Sequence, residues 1–185
     1  MGAPVPGVQV EVRGPRGDRL PAGEVGELWI QGPNIMLGYW NRPDATAEAL
    51  VDGWYRSGDI VRADDHGYLF MVDRAKDMII TGGENVYSIE VEIVLTEHLD
   101  VLEAAVFGIP DARWGEAVHA VVTVRPGADP SVEQLTEHAR RRIAGFKLPR
   151  SIDLRAEPLP KSGAGKVLKS RLREPYWTGR ERRVS

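Results

Sequence analysis

The chain has 185 residues, of which 42% are hydrophobic and 28% charged, a composition that excludes a mainly disordered protein and provides for one sizeable core or two small ones. It contains no cysteine, which excludes disulfides, thiolate zinc sites and a cysteine nucleophile and is compatible with a reducing cytoplasm. The net charge of −3 conceals an asymmetry: residues 139–185 carry 14 basic and 4 acidic side chains, a net +10, against −13 for the residues before them. In chain order, the first 72 residues are rich in glycine and proline and hold short apolar stretches at Val8–Val12, Glu27–Gln31, Asp59–Arg62 and Tyr68–Val72. These read as strands separated by turns at Gly14-Pro15, Pro21-Ala22-Gly23, Gly32-Pro33 and Asp64-Asp65-His66-Gly67, the pattern of a small antiparallel β-barrel or sheet. A run of charges at Asp73–Asp77 marks a domain boundary.

The second part mixes element types. Ser88–His98 is ambiguous, because Ile89, Val91, Ile93 and Leu95 alternate like a strand while Ile89, Ile93 and Val94 also suit a helix. Val101–Ile109 and Val118–Val124 are β-branched enough to be strands, and Ile152–Arg155 is a candidate third. Ser131 with Gln134 forms a capping-box pattern, and Val132, Leu135, Ala139 and Ile143 then recur at helical spacing up to Ala144-Gly145. The fold class expected is α+β: an antiparallel β segment followed by a small α+β domain.

No apolar run reaches the ~20 residues of a membrane helix, and Met1–Val12 lacks the regions of a secretory signal, so the chain reads as soluble and cytoplasmic. The four histidines, His66, His98, His119 and His138, are too scattered for a local metal site, and no serine nucleophile elbow is present. Lys161-Ser162-Gly163-Ala164-Gly165-Lys166 invites a phosphate-loop reading but fails it, since Pro160 stands where glycine is needed and Val167 where a hydroxyl is needed. What remains is a lysine on a glycine loop, able to deliver a point charge to an anion. The basic tail has three readings: a nucleic-acid contact, a contact to a phosphate-bearing small molecule, or a solvated face. Residues 139–185 hold only Phe146, Tyr176 and Trp177 as aromatics, which disfavours a stacking platform for nucleic acid.

Several strings in one order sharpen this. Gly26-Glu27-Leu28-Trp29-Ile30 is followed by Gly32, Gly38-Tyr39, and Trp54-Tyr55-Arg56-Ser57-Gly58-Asp59. Asp73-Arg74-Ala75-Lys76-Asp77 then runs through Met78-Ile79-Ile80 into Gly82-Gly83-Glu84-Asn85-Val86-Tyr87, and Leu159-Pro160-Lys161 leads to Gly165-Lys166. Together they resemble the adenylate-forming superfamily, and within it the fatty acyl-CoA synthetases, or long-chain fatty-acid CoA ligases, whose typical ending matches Leu172-Arg173-Glu174-Pro175-Tyr176-Trp177. The resemblance implies residues 1–74 as the β-barrel end of an N-terminal adenylation domain, 75–78 as a hinge, and 79–185 as a mobile C-terminal domain. It also implies an N-terminal portion missing from this chain, with the phosphate-gripping loop, the magnesium glutamate and the acyl pocket, so that the 185 residues alone are expected to be inactive.

Residue by residue, the resemblance assigns Asp59 to the ribose hydroxyls of ATP, Arg74 to the same ribose or the α-phosphate, and Met71 to packing beside the nucleotide. Asp59 otherwise reads as a turn residue and Arg74 as half of a surface ion pair. Lys166 matches the lysine that bridges the substrate carboxylate and the α-phosphate, where a fixed cation stabilises shifting charge. Lys76 takes the hinge position. Gly82, Gly83 and Glu84 line the channel for the CoA pantetheine, with Asn85 touching the nucleotide or the thioester centre. Lys147 matches a basic position near the CoA phosphates, and Trp114 either stacks on CoA adenine beside Arg113 or packs internally. The implied reactants are a fatty acid, ATP and CoA, with Mg2+ held upstream and no metal ligand in this chain. The implied partners are these small molecules and the missing N-terminal domain, not nucleic acid, with peripheral membrane association of the whole protein. A carrier protein as acceptor, or a non-catalytic CoA-, nucleotide- or nucleic-acid-binding module, is the alternative.

Overall fold

The computed structural model describes residues 2–179. It divides into two compact units, Met1–Lys76 and Asp77–Ser185. None of the helices described is long and apolar enough to cross a membrane.

In the first unit, strands β1 (Gln9–Arg13) and β2 (Val25–Gln31) precede helix α1 (Pro43–Ala49), followed by β3 (Leu50–Val51), β4 (Trp54–Ala63) and β5 (Leu69–Arg74). They form one antiparallel sheet in the order β1-β2-β4-β3, with β5 also on β4. Val12, Leu28, Val61 and Leu69 form the core on one face, joined by Val10, Leu20, Ile30 and Ala63. On β1 and the strands beside it, the Arg13 guanidinium lies 4.3 Å and 4.7 Å from the rings of Trp29 and Trp54. The four expected strands are present, but α1 breaks the all-β expectation. Proline in its first turn favours the helix start. It buries no residue, so it leaves no apolar periodicity in the sequence to read. Thr46 of α1 accepts from the Tyr39 amide at 2.9 Å, and a Cβ on Gly38 would come 2.8 Å from its methyl, so the Gly38-Tyr39 string is a helix-docking element.

In the second unit β6 (Ile79–Thr81) and β7 (Glu84–Val86) make a hairpin, followed by α2 (Ser88–Thr96), β8 (Val101–Asp111) and β9 (Gly115–Val124). Helix α3 (Val132–Arg140), β10 (Ser151–Arg155) and α4 (Lys169–Trp177) complete it. The sheet order is β10-β9-β6-β7 with β8 on β9, and only β10 runs parallel to its neighbour. Side chains alternate across β8 and β9. Val106, Val118, Ala120 and Val122 join Val91 and Leu95 of α2 and Leu135 and Ala139 of α3 in one core. Ala105, Phe107 and Val121 join Leu159, Val167, Leu172 and Tyr176 in another. Both faces are covered, which explains the nearly continuous apolar sequence of these strands.

The ambiguous segment is helical. Ser88, Val91, Val94 and Leu95 are its buried residues, while Ile93, which completed the apparent alternation, is 54% exposed. The capping box of α3 is present in both directions, at 3.2 Å and 2.7 Å. The helix ends at Arg140, short of the expected Ala144-Gly145, although Ile143 still packs on the core. Helix α4 is fastened by a relay through buried His119. Tyr176 donates to Asp153 at 2.8 Å, so its oxygen accepts from Nε2 of His119 at 3.1 Å, and Nδ1 of His119 accepts from Ser151 at 2.7 Å. Trp177 adds a hydrogen bond from its indole nitrogen to the Gly108 carbonyl at 3.0 Å.

Candidate functional site

The candidate residues fall into one group in the first unit and two in the second. In the first unit Asp59 and Arg74 are cross-strand partners on β4 and β5. Their position follows from a bulge: between the pairs Glu27–Ile60 and Trp29–Arg56 the register slips, and Gly58 adopts φ +71°. The bulge is pinned by Ser57, whose hydroxyl donates to the Leu28 carbonyl at 2.7 Å and accepts from the Asp59 amide at 3.1 Å. The Glu27 carboxylate accepts from the Gly58 amide at 3.3 Å and from Arg56 at 3.0 Å. The Trp54–Asp59 string is thus a device for presenting a carboxylate. Arg74 Nε reaches Asp59 Oδ1 at 3.4 Å, with the two side chains 44% and 30% exposed. This long, open pair leaves carboxylate acceptors for adjacent hydroxyl donors and guanidinium donors for an anion, chemistry that fits a nucleotide sugar and phosphate. Met71 lies on β5 with its side chain exposed. Tyr55, next to the bulge, has its pKa raised by burial, then by a hydrogen bond to Tyr39 and by the charge of Asp59. Lys76 is exposed in the 3-10 turn Ala75–Asp77, at the last position of the first unit.

In the second unit Gly82 and Gly83 form the two-residue turn between β6 and β7 at φ +61° and +87°, values that a hairpin turn of this kind demands. Glu84 and Asn85 follow it, exposed. The space above Gly82 is filled by Trp114, since an added Cβ would meet the indole at 2.7 Å, and the Gly82 amide donates to the Trp114 carbonyl at 2.9 Å. Trp114, partly buried, thus lies over the exposed glycine turn. Its ring is also flanked by guanidinium groups of Arg113 at 4.5 Å and Arg150 at 5.3 Å. Asp111 sets this turn by accepting from the amides of Arg113 and Trp114, both at 2.8 Å. Those backbone bonds, Trp114's first, hold its carboxyl below the usual range. Arg150 was not singled out from the sequence. Its only signal there is a second basic residue just beyond Lys147-Leu148-Pro149. Lys147 is bound by both Glu90 oxygens at 2.7 Å, and lies 5.7 Å from the Phe146 ring.

Lys166 stands exposed on a small hairpin whose strands meet at a Lys161–Val167 bridge. Ser162 donates its amide to the Lys166 carbonyl at 2.8 Å and accepts from the Lys166 amide through its hydroxyl at 3.2 Å. Gly165 turns the chain at φ +76°. Among the described residues the Lys166 ammonium has no ion-pair partner, unlike Lys161 with Glu103 and Lys169 with Glu92. No group of three His, Asp or Glu side chains among the described residues could hold a metal ion.

Comparison with known proteins gives this arrangement its class. Residues 90–166 match the model of the AMP-binding enzyme C-terminal domain, and residues 1–40 match that of the AMP-binding enzyme. A feruloyl-CoA synthase from an Amycolatopsis species is 47% identical over 176 residues, which cover 94% of this chain and 36% of that protein. A long-chain-fatty-acid-CoA ligase from Yersinia pestis is 47% identical over 174 residues, covering 94% of this chain and 31% of that protein. The solved structure of the amide bond synthetase McbA from Marinactinospora thermotolerans superposes with a TM-score of 0.86 at 44% identity, covering 95% of this chain and 36% of that one. The chain belongs to the adenylate-forming family of AMP-binding enzymes and corresponds to the C-terminal portion of such a ligase. It spans about a third of the length of the curated relatives it matches.

Proposed function

We propose that this chain is the C-terminal portion of an ATP-dependent acid-thiol ligase that converts a fatty or related carboxylic acid to its CoA thioester. In the first half-reaction the substrate carboxylate attacks the α-phosphorus of ATP and pyrophosphate leaves, giving an acyl-adenylate. In the second, the CoA thiol attacks the acyl carbonyl, loses its proton, and AMP leaves. The observation that carries the reading is the cross-strand Asp59–Arg74 pair, an open carboxylate and guanidinium presented together by a built bulge. Asp59 would hold the ribose hydroxyls and Arg74 the ribose or α-phosphate, orienting the nucleotide for in-line attack. Lys166 supplies the cation that stabilises negative charge moving between carboxylate and phosphate oxygens. The residues Mg2+ needs belong to the upstream region in this reading, and no step here is routed through the ion.

For the acceptor, the guanidinium groups of Arg113 and Arg150 beside Trp114 favour a phosphate-bearing thiol over an amine, because they offer paired charge for phosphate oxygens. Asn85 and the Gly82–Glu84 turn serve the pantetheine arm, and Lys76 is the pivot between the two half-reactions. The 185 residues by themselves are inactive in this reading, lacking the acyl pocket. The test is pyrophosphate release from ATP with fatty, aromatic and small acids, using the complete ligase and its Lys166→Ala variant. Release that depends on both an acid and Lys166 supports the reading. Folded protein that gives no Lys166-dependent release with any acid refutes it.

A further inference from the structure

The Lys166 backbone is held by Ser162, but among the described residues its ammonium has no ion-pair partner to fix it. Its hairpin spans only the seven residues 161–167, and the lysine itself is exposed. A cation that acts by electrostatic stabilisation must nevertheless be held in place, because a displacement of about 1 Å is enough to cost roughly a hundredfold in rate. The order must come from the ends of the hairpin.

Both ends are tied to the same strand. At the entry, Leu159 is buried in the core with Ala105, Phe107 and Val121, and its amide donates to Oε2 of Glu103 on β8 at 3.3 Å. The other oxygen of Glu103 takes the ammonium of Lys161. At the exit, Lys169 opens α4 and donates to Oε1 of Glu92 and to the Ser88 hydroxyl, each at 2.7 Å. That Glu92 oxygen also accepts the amide of Val106, on β8, at 2.7 Å. The Lys169 and Glu92 side chains are only 13% and 18% exposed, so this pair is shielded from solvent screening. Between the ends, the Leu168 amide donates to the Pro160 carbonyl at 2.8 Å and closes the stem. Of the three lysines in residues 161–169, the outer two bind protein carboxylates and the middle one points to solvent.

We propose that Glu103 and Glu92 are positioning residues for Lys166, gripping the two ends of its hairpin through Lys161 and Lys169 and referring both to strand β8. The inference rests on the reading of Lys166 as the adenylation lysine. Supporting it, the hydrogen bond from Lys161 is the largest of the influences that lower the pKa of Glu103. The two grips act on one loop, so loosening either should displace Lys166 without touching the nucleotide pair Asp59–Arg74 or the glycine turn.

The test uses Glu103→Gln and Glu92→Gln, with a charge-swapped double variant, Lys161→Glu with Glu103→Lys, as a control that keeps the pair. The first readout is backbone hydrogen exchange in the 185-residue chain. In the single variants the amides of Ser162, Gly165, Lys166 and Leu168 should exchange roughly tenfold or more faster, with the amides of β2 and β4 unchanged. The charge swap should restore protection in part, because a lysine at position 103 keeps the ion pair but cannot accept the Leu159 amide. The second readout is the complete ligase, where the single variants should lower kcat for pyrophosphate release by roughly 10- to 100-fold. KM for ATP, and thioester formation from supplied acyl-adenylate, should each stay within about twofold, because misplacing Lys166 affects only the adenylation transition state. Unchanged exchange at the hairpin, or equal loss in both half-reactions, overturns the proposal while leaving the ligase reading intact. If the unmodified ligase releases no Lys166-dependent pyrophosphate, the ligase reading falls. Faster exchange in the variants would in that case still support the two-ended grip on the hairpin.

Discussion

In the first unit Asp59 and Arg74 face each other across an antiparallel ladder, their backbones fixed by strand pairing and a pinned bulge. In the second unit Lys166 stands on a seven-residue hairpin anchored at its two ends by side-chain ion pairs and by the core packing of Leu159 and Val167. A ladder is cooperative and hard to distort one residue at a time, whereas a hairpin held by two carboxylates can be loosened by single substitutions far from the lysine itself. The difference teaches that, in the proposed function, nucleotide binding and adenylation chemistry would have different mechanical supports and should respond to different mutations.

The largest expected effect is at the lysine. Lys166→Ala in the complete ligase should lower kcat for pyrophosphate release by about 100- to 1,000-fold, the range for removing one preorganised charge-stabilising group. The rate from supplied acyl-adenylate to thioester should stay near that of the unmodified enzyme. Thermal stability should not move by more than about 0.5 kcal/mol, since the side chain is exposed. Equal loss in both half-reactions would remove the distinction between the two supports.

The next effect is on the ladder side. Asp59→Asn keeps the shape but removes the charge, and should raise KM for ATP by roughly tenfold, a charge-assisted hydrogen bond being worth about 1.5–3 kcal/mol. Because the pair is open to solvent, unfolding free energy should change little. Nucleotide titration alongside a thermal melt separates the two, and a loss of stability with unchanged KM would make Asp59 a structural residue only.

How much of this was legible depends on how local the signal was. The capping box of α3, the strand runs and the ordered strings carrying Asp59, Arg74 and Lys166 are local patterns, and the sequence displays them directly. Helix α1 was invisible because it buries nothing, and α2 was ambiguous because a nine-residue helix with Val91, Val94 and Leu95 inside contains an accidental alternation. The partners of the lysines were out of reach, since Lys161–Glu103 and Lys169–Glu92 join residues 58 and 77 positions apart. The same holds for the relay from Ser151 through His119 to Tyr176, where one of the scattered histidines is a cross-linker only through tertiary contact.

That relay gives a third, smaller effect, on stability alone. Tyr176→Phe removes the bond to Asp153 and leaves Nε2 of buried His119 only the Asp153 carboxylate, 3.5 Å away, which should destabilise the chain by about 1–3 kcal/mol in chemical denaturation. The pH dependence is set on both sides. Burial depresses the His119 pKa below its usual 6.5, so as pH falls through about that value the unfolded chain takes up a proton that the folded chain refuses, and stability declines until the lower folded pKa is passed. Burial, then the hydrogen bond and charge of Asp153, push the Tyr176 pKa from 10.0 up to about 12, so the unfolded chain loses its proton first and stability declines again between those values. In Tyr176→Phe the alkaline decline should shrink, measured by denaturation midpoints from pH 9 to about 12. An unchanged alkaline limb would mean that the relay is not holding α4.

The smallest expected effect concerns Lys147, and it separates two views of the CoA side. Both Glu90 oxygens already bind its ammonium at 2.7 Å, so its charge is locally neutralised and a phosphate would have to compete with a bidentate carboxylate. Arg150 and Arg113 instead lie against the Trp114 ring, which cannot satisfy their hydrogen-bond donors, and share the charge of one carboxylate, Asp111. Lys147→Met should therefore cost less than about 1 kcal/mol of stability, as for partly exposed ion pairs, and change KM for CoA by less than about twofold. Arg150→Ala should raise that KM by roughly tenfold, the loss of one charge-assisted contact. A steady-state comparison of the two variants against CoA decides the matter. A larger effect at Lys147 would mean that Glu90 releases it when CoA binds, making the pair on α2 a switch rather than a staple.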